Sequence, residues 1–187
     1  MNGADFVLGL EPETDGATKG CLSTLRRLID QLGLEGRVES TACLLQDLPT
    51  MSPPFDVAIL YDVINHFDED AVQRLHHDVG SQERYVHLLG HLRRVLAPGA
   101  TVIVADSDCS NFWPHVGMRA PLAPSIEWHK HQSPELWKEV FGKAGFHALD
   151  LRWSPLYPLG SLSTNKLAQR FISSHFILRF KLKPEAS

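Results

Sequence analysis

With 187 residues, 43% of them hydrophobic and 21% charged, the chain holds enough apolar material for one ordinary globular domain and too little length to demand two. A net charge of −4 without a dense basic run argues against general binding to a nucleic-acid backbone. No apolar run reaches the roughly 18 residues of a membrane span, and the opening Met1-Asn2-Gly3-Ala4-Asp5 lacks the basic and apolar regions of a signal peptide. The expectation is a single domain over residues 1–187, soluble and cytoplasmic, without nucleic-acid or membrane partners. Three cysteines, Cys21, Cys43 and Cys109, are an odd number without close pairing, and they read as reduced thiols rather than a disulfide frame or a zinc site.

Taken in order, strands and helices alternate. Phe6 to Leu10 is a short apolar run ending in Glu11-Pro12, with turn-forming Thr14-Asp15-Gly16 behind it, and reads as a strand. From Lys19 to Leu32 the positions Leu22, Leu25, Leu28, Ile29 and Leu32 repeat at helical spacing, and Gly33 follows as a stop. Arg37 to Leu45 reads as a second strand, closed by Gln46-Asp47-Leu48-Pro49. Val57 to Leu60 is too short for a helix and suggests a third strand, buried on both faces, with polar Tyr61, Asp62, Asn65 and His66 directly beyond it. In an open α/β sheet ligands sit past the carboxyl ends of the strands, so this stretch is where chemistry is expected.

Asp68-Glu69-Asp70 places acids at the start of a helix whose inner face is Ala71, Val72 and Leu75, with a break expected at Gly80-Ser81. A second helical piece, Gln82 to Leu96, carries Tyr85, Leu89, Leu92 and Leu96 on one face and ends at Pro98-Gly99. The strand Thr101 to Ala105 runs into Asp106-Ser107-Asp108. A long loop, Asn111 to His131, follows without clear periodicity, and loops of that length are usually functional or mobile. Ser133 caps a helix with Pro134 in its first turn, and strands are expected at Phe146 to Trp153 and Phe176 to Leu182, with a short helix from about Asn165 to Ile172 before the last.

The succession Val7-Leu8-Gly9-Leu10-Glu11-Pro12, Gln46-Asp47-Leu48-Pro49, Phe55-Asp56-Val57 through Asn65-His66-Phe67, Leu92 through Ala100, and Gly145-Phe146 resembles a class I S-adenosylmethionine-dependent methyltransferase over nearly the whole chain. The resemblance implies a Rossmann-like three-layer α/β sandwich, mostly parallel with an antiparallel C-terminal strand. It also implies S-adenosyl-L-methionine as cofactor and a small molecule as methyl acceptor. The family's first strand and glycine-rich loop precede the strand that ends at Glu11, and only five residues precede Phe6 here. The expectation is therefore a domain that lacks its first strand and is N-terminally incomplete.

Residue by residue, the resemblance makes Glu11 the acceptor for the ribose hydroxyls, a task that suits an acceptor-only carboxylate. Asp47 matches the acid near the adenine amino group, Leu48 packs on that ring, and Tyr61 lines the methionine part of the cofactor. On the acceptor side stand Asn65 and His66, with His66 as the candidate base because imidazole titrates near neutrality. Trp113 and His115, with Trp128, His129 and His131 of the same loop, are candidates to cover the substrate. Methyl transfer to a good nucleophile needs mainly in-line positioning, so a base is not obligatory.

Other readings compete. His87 and His91 stand four apart on a helix, a metal-compatible spacing, but without a partner carboxylate motif they read as a solvated face, and no metal is expected. Asp106-Ser107-Asp108 resembles the metal-binding acid pair of nucleotide-sugar glycosyltransferases and would suit a divalent ion bridging phosphates. A third reading is a non-catalytic or fragmentary methyltransferase-like domain that pairs through an exposed sheet edge with another chain, which leaves a homodimer possible.

Overall fold

The computed structural model describes residues 3–12, 20–155, 160 and 164–184; Thr14-Asp15-Gly16 and Lys19 lie outside the described residues. The chain divides into two compact units, Met1–Pro49 and Thr50–Ser187.

In the first unit, β1 (Val7–Leu10) pairs in parallel with β2 (Val38–Thr41), Val7 opposite Val38 and Leu10 opposite Thr41. A parallel pair needs a crossover, which is α1 (Cys21–Leu32), packed on β2 and burying Leu22 and Ile29. The helix stops where expected: Gly33 has φ 62°, its N–H bonds the Asp30 carbonyl, and the Leu34 N–H bonds that of Ile29. β2 is shorter than Arg37 to Leu45, because the chain leaves the ladder after Thr41 and winds into a 3-10 turn at Leu45–Asp47.

The second unit carries a four-stranded sheet in the order β3-β4-β6-β5. These strands are β3 (Phe55–Tyr61), β4 (Leu96–Ser107), β5 (Phe146–Trp153) and β6 (His175–Leu182). β3 runs parallel to β4, and β6 runs antiparallel to both β4 and β5. The helices are α2 (Glu69–Arg74), α3 (Val79–Val95), α4 (Phe112–His115), α5 (Pro134–Lys143) and α6 (Lys166–Gln169).

Period-two alternation builds the core. Val102 and Val104 of β4 stand opposite Phe180 and Leu178 of β6, all fully buried on one face. Tyr85 and Leu89 of α3 and Trp137 and Phe141 of α5 are buried with them. Phe141 stacks on Phe180 at 4.2 Å between centroids, and Tyr85 meets Trp137 at 5.4 Å. Each such side chain contributes about 1.5–3 kcal/mol of transfer free energy.

Two expectations are corrected. β3 is not buried on both faces: Ile59 is 65% and Tyr61 63% exposed, while Leu60 is buried. β3 packs only the face that carries Ala58 and Leu60, and Val57, Ile59 and Tyr61 on the other face are exposed. The break between α2 and α3 falls at Leu75 to Asp78, not at Gly80-Ser81. Asp78 accepts from the Ser81 N–H at 2.8 Å and starts α3 upstream of the glycine. Asp68 likewise caps α2, and Ser133 caps α5 with Pro134 at its first turn. Among the described residues no helix is long and apolar enough to cross a membrane.

Candidate functional site

Sheet topology gathers the polar residues of the second unit. β3 and β4 are parallel, so Asp62 and Ser107 leave the sheet at the same edge, and the Asp62 N–H bonds the Ala105 carbonyl at 2.8 Å. β6 is antiparallel to β4, so it begins at that edge, with His175 opposite Ser107 and Phe176 opposite Asp106. Asp62 (φ 49°) and Ser174 (φ 51°) both hold left-handed backbone there, a conformation that clusters at functional sites. Ser174 is fixed by its N–H and hydroxyl, which both donate to the Gln169 carbonyl, and by the Asn111 amide donating to its Oγ.

A cavity of about 320 Å³ opens at this edge, lined among others by Asp62, Asn65, His66, Glu127, His131 and His175. Asn65 and His66 reach it from the 3-10 turn Ile64–His66, which the buried Tyr85 hydroxyl holds by donating to the Ile64 carbonyl at 2.9 Å. Asn65 is buried, and its Oδ1 has no hydrogen-bond donor among the described residues. His66 is exposed, and its Nδ1 lies 2.7 Å from Glu69 Oε1.

The loop over the cavity is tied down from the same side. Lys130 Nζ reaches Glu69 at 2.9 Å and Glu127 at 2.8 Å, and the Gln132 amide donates to the Val72 carbonyl at 2.7 Å. The Lys130 ammonium, and then the His66 ring, hold the Glu69 carboxyl below its ordinary range.

Deeper in the edge, Asp106 is 0% exposed and His131 9%. Asp106 Oδ1 accepts the Ser107 N–H at 2.8 Å and lies 2.8 Å from His131 Nδ1, while its Oδ2 has no partner among the described residues. His175 has Nδ1 at 2.6 Å from Ser154 Oγ and Nε2 at 3.4 Å from Asp62 Oδ1.

Of the residues singled out in the sequence, Asn65 and His66 line this cavity, and Tyr61 stands beside it with its ring 5.7 Å from that of His175. Trp113 is half-buried and donates its indole N–H to the Phe171 carbonyl at 2.9 Å; His115 is exposed at the end of α4, and neither lines the cavity. In the first unit Glu11 follows β1, its N–H on the Thr41 carbonyl, and half-buried Leu48 follows Asp47 at the end of the 3-10 turn. Asp106 and Asp108 occupy separate hydrogen-bond sets, since Asp108 receives the Ser110 N–H and hydroxyl. Among the described residues no group of three or more His, Cys, Asp or Glu is placed to hold a metal ion.

The pair sequence reasoning missed is Asp106–His131, 25 positions apart. A signal for it existed: a carboxylate closing a buried strand needs a partner, and the following loop is rich in histidine.

No family model matches the sequence, and no curated protein matches it. Solved structures do. The [4+2]-cyclase SpnF superposes with a TM-score of 0.61 at 15% identity, over 99% of this chain and 68% of its own. An S-adenosylmethionine-dependent methyltransferase from Methanosarcina mazei gives 0.60 at 13% identity, over 97% of this chain and 84% of its own. An O-methyltransferase family 2 protein from Planctomyces limnophilus, in complex with apigenin, gives 0.54 at 17% identity; this chain covers 42% of that longer one. The fold is that of the class I S-adenosylmethionine-dependent methyltransferases.

Proposed function

We propose that the protein transfers a methyl group from S-adenosyl-L-methionine to a small-molecule acceptor. The observation that carries this reading is the cavity at the carboxyl edge of the four-stranded sheet, where the α/β rule places ligands and where Asp62, Asn65, His66 and His131 converge. Fold alone does not decide chemistry, as the cyclase among the structural neighbours illustrates. The donor set argues further. S-adenosylmethionine carries two ribose hydroxyls and an adenine amino group, and the candidate residues of the first unit answer with acceptors: Glu11 for the hydroxyls and Asp47 for the amino group. In the same unit Leu48 supplies apolar surface for the adenine ring. When bound, the cofactor supplies an electrophilic methyl on sulfur; the protein's task is to hold the acceptor in line with it and keep competing water out. His66, oriented by Glu69, is the candidate base from the sequence. A small acceptor fits a cavity of this volume, and an apigenin complex among the neighbours is consistent with that class.

The test is calorimetric titration of S-adenosylhomocysteine into the full chain beside Glu11→Ala. Micromolar binding that Glu11→Ala weakens at least about tenfold, or about 1.4 kcal/mol, supports the reading. Absence of binding by the folded protein refutes it and favours the non-catalytic alternative.

A further inference from the structure

We propose that His131 is the base that takes the acceptor's proton, that Asp106 positions it, and that the acceptor atom is the oxygen of a small hydroxyl compound. This rests on the methyl-transfer reading above. The argument begins with burial. Asp106 is fully enclosed, and a buried carboxylate persists only with a charged or hydrogen-bonding partner. Its side-chain partner is His131 Nδ1 at 2.8 Å, and a carboxylate, which only accepts, is matched by a ring that carries its proton on Nδ1. The lone pair of the neutral ring then belongs to Nε2, the nitrogen left for the cavity that His131 lines. Asn65 Oδ1, a buried acceptor with no donor among the described residues, belongs to the same lining. A cavity that offers acceptors is complemented by a ligand that brings donors.

Charged and titratable groups face the ring from every neighbouring element. These are Asp106 of β4, Asp62 after β3, His66 in the 3-10 turn, Glu127 and Lys130 in the loop, and His175 of β6. Asp106 is committed to His131. Lys130 is shared by Glu127 and Glu69, and exposed Asp62 has only the 3.4 Å contact with His175, so the acceptor is decided by its need for a base rather than by the charge of the lining. A thiol ionises close to neutrality and gains little from a base, whereas a hydroxyl keeps its proton and gains most. In the step, the acceptor's O–H bond breaks toward His131 Nε2 as an oxygen electron pair forms the new O–CH₃ bond. The C–S electron pair departs on sulfur. Asp106 stabilises the resulting imidazolium, which later returns its proton to water.

Two readouts test this. In wild-type protein, ¹⁵N NMR of the imidazoles at neutral pH should find His131 protonated on Nδ1 and bare on Nε2. The opposite tautomer overturns the proposal without any substrate. The second readout is methylation, with labelled S-adenosylmethionine, of a matched pair of probes: 2-naphthol, which needs a base, and 2-naphthalenethiol, which does not. His131→Gln should lose about 10²-fold or more in kcat on the naphthol but less than about fivefold on the thiol. Asp106→Asn, which keeps an acceptor but removes the charge, should move the acid limb of kcat on naphthol to lower pH. His66→Gln should retain that limb. Equal losses on both probes, an unmoved limb, or no naphthol turnover by a wild type that binds S-adenosylhomocysteine overturns the hydroxyl-base inference and leaves the methyltransferase reading standing. Failure of S-adenosylhomocysteine binding removes that reading itself.

Discussion

Tyr85→Phe deletes one hydroxyl from a side chain that is wholly buried, and its effect can be worked out. The hydroxyl donates to the Ile64 carbonyl at 2.9 Å, and Ile64 is itself 0% exposed, so water cannot take over the bond. The other donor to that carbonyl is the long Phe67 N–H contact at 3.4 Å. The ring remains against Trp137, so no cavity larger than one oxygen arises and the cost is that of an under-satisfied buried carbonyl, about 1–2 kcal/mol. For a chain of this size that lowers the melting temperature by about 2–8 °C. Tyr85→Ala should cost about 3–5 kcal/mol, because packing goes as well. Urea unfolding followed by tryptophan fluorescence and by circular dichroism measures both variants, with Trp137 beside the altered ring. A loss below about 0.5 kcal/mol for Tyr85→Phe would refute the reasoning, since it would mean that the hydroxyl does not hold the turn carrying Asn65 and His66.

Three further outcomes are expected. Glu69 has its carboxyl lowered from an ordinary 4.5 by Lys130 and then His66. Its contribution is therefore full above that value and lost as pH falls through the lower folded value. The stability gap between wild type and Glu69→Gln should be below about 1 kcal/mol at pH 7, because the pair is half-exposed, and should close in acid; a gap that widens in acid refutes it. The Cys109 thiol is pushed up from 9.0 to about 11 by burial and then by Asp108, so its alkylation by iodoacetamide at pH 8 should be about 100-fold slower in the folded than in the unfolded protein, followed by peptide mass spectrometry. Gly145 has φ 91°, and a Cβ there would lie 3.0 Å from the Arg93 guanidinium; Gly145→Ala should cost about 1–2 kcal/mol in urea unfolding, and an unchanged midpoint would be refuting.

Where local chemistry decides an element, the sequence was legible. Gly33, Asp68, Ser133 with Pro134, and the alternation of β5 and β6 all work through neighbours within four positions, and their elements lie where those residues put them. The failures involve partners distant in sequence. Whether Val57 and Ile59 face protein or water depends on what covers the strand, and an apolar run says only that burial would be favourable. The α2–α3 break was misread for a nearer reason: Gly80 looked like the breaker, while Asp78, two residues earlier, had the stronger effect as a cap.

The cavity shows the same division. Asn65 and His66 were found because they follow a strand, and the edge rule needs only the strand. His131 was read merely as part of a covering loop, although two constraints converge on it. It lies three residues before the proline that opens α5, which brings the loop back to the sheet, and it meets the one buried carboxylate at the carboxyl edge that lacks a local partner among side chains. Asp108, two residues on, is satisfied within its own turn by Ser110 and needs nothing from afar. The two aspartates look alike in the sequence. They differ in whether their hydrogen bonds close locally, and the carboxylate whose bonds do not close locally is the one that recruits a distant histidine and orients it toward the cavity.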